Sequence, residues 1–68
     1  MHEIVFVVEV APEGGFTARA LGVSIFTEAD REAELRTAVQ DAVRCHFEEA
    51  NLPKVIRLHF VRDELMAA

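Results

Sequence analysis

The hydrophobic period of this chain changes twice, and that pattern limits the fold more than any single motif does. Residues 3–10 alternate: Ile4, Phe6, Val8 and Val10 share one face, with Glu3, Val5, Val7 and Glu9 on the other. Alternation of period two, rich in Val, Ile and Phe, predicts a half-buried strand. Pro12-Glu13-Gly14-Gly15 then predicts a hairpin loop, since proline presets a turn and glycine accepts positive φ. A second strand follows over about 16–21 and, after Gly22, a third over about 23–27. From Asp30 the period lengthens. Leu35, Ala38, Val39, Ala42, Val43, Phe47 and Ala50 form a helical stripe over about 30–50. Thr27-Glu28-Ala29-Asp30 has capping-box spacing, with Asp30 as the expected N-cap and Asn51 and Pro53 as the expected stop. Period two returns over about 54–61, where Ile56, Leu58 and Phe60 oppose Val55, Arg57, His59 and Val61.

The order is therefore βββαβ, an α+β chain of one domain spanning residues 1–68. A helix between the third and fourth strands lets the fourth run parallel to the strand it joins. With the most apolar strand central, the sheet is four-stranded and mixed, of order 3-2-1-4, with the helix on one face. The expected core joins Ile4, Phe6, Val8, Phe16, Ala18, Ile25, Ile56, Leu58 and Phe60 to the helical stripe.

One helix covers one face of a sheet. The other face is expected to carry Val5, Val7, Leu21, Phe26, Val55 and Val61 beside Arg19, Arg57 and His59. A contiguous apolar patch of that kind marks an interface. These nine residues are the candidate interface, and a homo-oligomer, most simply a two-fold dimer, is the expectation.

The chain has 12 acidic and 7 basic side chains, a formal charge of −5. That balance argues against nucleic acid and against an anionic membrane surface, both of which demand clustered Lys and Arg. A single cysteine, no signal peptide and no long apolar run fit a reducing, cytoplasmic setting. Cys45 and His46 are adjacent on the helix and point about 100° apart, and no CxxC or HExxH spacing exists, so no metal site is expected. His46 reads as a half-buried histidine near the helix C-terminus, and Cys45 as a small hydrophobe at the stripe's edge. Ser24 has no nucleophile-elbow context. Neither a catalytic residue nor a cofactor site is expected.

Glu13-Gly14-Gly15-Phe16-Thr17-Ala18 after a strand, then Leu21-Gly22, then Thr27-Glu28-Ala29-Asp30 and a helix with Glu34-Leu35 and Ala42-Val43, resembles the HicB-like antitoxin domain. The similarity runs from about Ile4 to Ala50. It implies a partial ribonuclease-H-like fold and a non-catalytic module that masks a small basic RNA-cleaving toxin of the HicA type. Such a partner suits an acidic chain. Typical members carry a DNA-binding segment after this domain; here the sequence stops at Ala68, so promoter binding is not expected. Leu21-Gly22-Val23 lacks the family's frequent Pro and Cys, and Ala29 replaces a common glycine. Ribonuclease activity is not implied, because the strand positions hold Val, Phe and Ile where metal-binding carboxylates would be needed. An orphan oligomeric scaffold or small-ligand-binding protein of the same fold is the alternative.

Overall fold

The computed structural model describes residues 2–68. Strands β1 (Glu3–Val10), β2 (Phe16–Ala20) and β3 (Phe26–Ala29) precede helix α1 (Glu32–His46), a 3₁₀ turn (Glu49–Asn51) and strand β4 (Val55–Val61). The sheet order is β3-β2-β1-β4. β1 pairs antiparallel with β2 and parallel with β4, and β2 pairs antiparallel with β3. This is the α+β, βββαβ arrangement read from the alternation of periods.

The register fixes both faces. On the helix side Ile4, Phe6 and Val8 stand beside Ile56, Leu58 and Phe60 on β4, and Phe6 and Val8 beside Ala20 and Ala18 on β2. Ile4, Phe6, Val8 and Ala18 are buried, and with Ile25, Leu35, Val39 and Val43 they form the core. The helix contributes only residues spaced by four, so its buried stripe is narrow.

The β1–β2 loop turns where the glycines allow it. Gly14 has φ +99° and its amide donates to the Ala11 carbonyl at 3.0 Å; the Ala11 amide donates to the Gly15 carbonyl at 3.0 Å. Residues with a Cβ rarely adopt such φ values.

The third strand lies three residues later than its expected start. Gly22 (φ +79°) and the Ile25 amide, which donates to the Val23 carbonyl at 2.9 Å, draw 22–25 into a tight turn. The Ala20 amide closes that turn by donating to the Ile25 carbonyl at 2.9 Å. Ile25 still reaches the core, so its face was legible though its element was not.

The helix is shorter than expected at both ends. Arg31, not Asp30, takes the N-cap place, and no side chain caps it. Glu32 and Glu34 occupy the first turn, where the helix dipole favours them. Arg36 donates to Glu32 at 2.8 Å across one turn. The helix stops at His46 because Phe47 turns extended (ψ 148°) and packs its ring against the core. No non-glycine residue among those described has positive φ, so Asn51 provides no left-handed cap. Ala50 is exposed, outside the stripe.

α1 packs most closely over β3 and then β2, away from β4. Ile56 and Leu58 are consequently half-covered, and Phe60, expected in the core, is 41% exposed. Beyond β4, residues 62–68 form no regular element and are exposed, Leu65 at 95% and Met66 at 82%. Among the described residues no helix is long and apolar enough to cross a membrane.

Candidate functional site

The strand register places all nine candidate interface residues on the sheet face opposite α1. One row across the sheet runs Phe26, Arg19, Val7, His59. The next joins Arg57 to Val5, and Leu21 extends it, its amide donating to the Val5 carbonyl at 2.9 Å. Val55 and Val61 lie at the two ends of β4, opposite Glu3 and Glu9. No element among those described covers this face. Val5 and Val7 are half-buried by their neighbours alone, while Leu21 and Phe26 are 50% and 64% exposed.

One ion pair organises the β4 side of the face. Arg57 donates from Nε and from a terminal nitrogen to Glu3 Oε1, at 3.1 and 2.9 Å. That hydrogen bond, and then the carboxylate's charge, raise the Arg57 pKa above its ordinary value. The pair is solvent-exposed, so it orients the guanidinium more than it stabilises the fold.

Neither residue singled out on the helix is buried. Cys45 and His46 are both exposed, contrary to their expected places in and beside the apolar stripe. They belong to the last helical turn, where Phe47 makes the core contact instead; the His46 ring meets it edge-on at a centroid distance of 4.9 Å.

A second surface was not singled out in the sequence. The β1–β2 loop, the end of β3 and the first turns of α1 meet around an open hollow. Glu13, Asp30 and Glu34 line it, Glu28 borders it from a β3 position that alternation turns to the opposite sheet face with Phe26, and no Lys, Arg or His is among the lining residues. Phe16 and Ala29, paired across β2 and β3, form its apolar floor beside Gly15. Glycine suits that position for its backbone, with φ +90°; a Cβ there would meet the Ala29 carbonyl oxygen only at an ordinary contact distance of 3.6 Å. Among the described residues no three His, Cys, Asp or Glu side chains are grouped closely enough to hold a metal ion. Glu13, Asp30 and Glu34 place negative charge around that apolar floor.

The segments that converge on this hollow are Glu13–Thr17 and Glu28–Asp30, with Glu34 from the helix. Two curated relatives share the chain over most of its length. A UPF0150 protein of Archaeoglobus fulgidus is 54% identical over 52 residues, covering 76% of this chain and 77% of the relative. The chain belongs to the UPF0150 family. A second UPF0150 protein, from Thermotoga maritima, is 40% identical over 65 residues, 96% of this chain and 91% of its own length. No family model matches the chain, and no solved structure matches it.

Proposed function

We propose that this UPF0150 protein is a HicB-like, non-catalytic binding module that occludes a small basic toxin of the HicA type. The observation that carries this reading is the hollow's charge: the acidic residues Glu13, Asp30 and Glu34, no Lys, Arg or His among its lining residues, and an apolar floor. A basic RNA-cleaving protein must present Lys and Arg to phosphate, and a carboxylate-lined hollow competes for those side chains. The residues that line it largely coincide with those that carry the HicB-like resemblance. Glu13→Lys combined with Glu34→Lys reverses the field on exposed positions without touching the core. The test is co-purification and growth rescue with a small basic toxin encoded beside this protein. Rescue by the native chain and its loss in the double variant support masking; equal rescue by both, or no interaction with the native chain, refutes it.

A second reading is favoured by a different observation, the uncovered face bearing Val5, Val7, Leu21 and Phe26. On that reading the protein is a homo-oligomeric scaffold in which this face is the contact. A Phe26→Ser, Leu21→Ser variant that turns an oligomer into a monomer, with toxin rescue absent throughout, would favour it over masking.

A further inference from the structure

β4 is an edge strand, and its free side carries unsatisfied backbone groups. The Val55 amide donates to the His2 carbonyl of the chain beside it at 3.1 Å. In an extended strand alternate residues turn their backbone groups to opposite sides. Val55, Arg57, His59 and Val61 thus bond inward to β1, and Ile56, Leu58 and Phe60 point their amides and carbonyls at the free edge. We infer that this edge is occupied by the same edge of a second copy, the two β4 strands running antiparallel about a two-fold axis at His59. This interface is independent of the masking proposal and of the uncovered face.

Three observations select that occupant and that register. Directly opposed residues in an antiparallel pair lie on the same face, so a two-fold pairing must match even with even numbers. Centred on His59, it sets Phe60 of each copy against Leu58 of the other on the helix side. It also extends pairing into the exposed tail, setting Lys54 against Glu64. Lys54 is a basic residue without an ion pair among those described, and Asp63-Glu64 is the acidic stretch that leads out of β4. Centring on Leu58 would oppose Lys54 to Arg62, like against like; centring on Phe60 would oppose Glu64 to Ile56.

The chain's own tail cannot make these contacts. Folded back on β4 it would turn at Asp63-Glu64, leaving both carboxylates at the Val61 end of the strand. That is about 20 Å from Lys54, at roughly 3.3 Å per residue. The position of α1, over β3 and β2, leaves the helix side of β4 open for the second copy, where Phe60 is 41% exposed. Pairing covers that ring.

The experiment uses the full chain. His59 then occupies a non-hydrogen-bonded pair, the closer of the two antiparallel spacings. Under mild oxidation His59→Cys with Cys45→Ser should give a disulfide-linked dimer that reductant dissolves. Sedimentation of the native chain at micromolar concentration should show a dimer. Lys54→Glu and Glu64→Lys should each weaken it about tenfold, the symmetry counting every pair twice. The two changes combined should restore it. All these positions are exposed, and far-UV circular dichroism checks that each variant folds. A native monomer, a dimer that His59→Cys fails to cross-link, or a charge swap that fails to recover would each overturn the inference. The second of these outcomes would place the dimer contact elsewhere, for example on the uncovered face.

Discussion

Arg57 on β4 reaches diagonally across the parallel pair to Glu3 at the start of β1, holding Oε1 with two nitrogens at 3.1 and 2.9 Å. It joins residues 54 apart in sequence on the sheet face opposite α1. The raised Arg57 pKa stabilises the fold below the ordinary guanidinium range, and that contribution is lost only as pH rises through the raised folded value. Stability is therefore indifferent to Arg57 titration across the working range. Glu3→Gln should lower the melting temperature slightly at low salt. The difference from the native chain should vanish near about 1 M salt, where the screening length falls to about 3 Å. Thermal unfolding of the two proteins at both salt concentrations checks this.

Leu35 and Phe60 face the same side of the sheet and should respond very differently to truncation. Leu35 is fully buried, so Leu35→Ala should cost about 2–5 kcal/mol, enough to unfold much of a small domain. Phe60→Ala should cost about 1 kcal/mol or less in dilute protein, because much of its ring already meets water. Urea titrations of both variants test whether α1 leans away from β4 in solution. Equal losses would contradict that placement.

Gly14→Ala should destabilise the chain by about 1–2 kcal/mol, although nothing lies within 4 Å of a Cβ there. The cost is conformational, arising from φ +99° and not from a clash. A destabilisation in urea titration with unchanged m-value is the expected result.

Association of a basic partner with the acidic hollow should be steered by charge. Its on-rate should fall steeply with ionic strength, and Glu34→Gln should reduce it several-fold while leaving the off-rate nearly unchanged. Stopped-flow mixing at two salt concentrations measures both rates.

The strands that alternate cleanly were legible. β1 and β4 match their expected spans to within a residue because period two is sustained and each is bounded by turn residues. The third strand was misplaced because Val23 and Ile25 mimic alternation, whereas Gly22 commits them to a turn. The helix end was misread for a related reason: Phe47 keeps helical spacing in the sequence yet packs from an extended backbone. Which residues share the uncovered face followed from the periodicity. The acidic hollow did not, because Glu13, Asp30 and Glu34 each read as an isolated solvated charge until the β1–β2 loop, the end of β3 and the start of α1 are folded side by side.

The parallel pairing of β1 with β4 also sets the order in which this chain can fold. Glu3 to Glu9 of β1 are each matched to a residue 52 positions later, so the centre of the sheet closes only after β4 has been made. On the ribosome, β1 must wait with one side unpaired while the hairpin and helix take shape. Until β4 arrives, Ile4, Phe6 and Val8 belong to the rim of a three-stranded intermediate, open to proteases and to strand exchange. The fourth strand thus completes the innermost part of the sheet, and loss of a few residues there would be felt at β1, far away in the sequence.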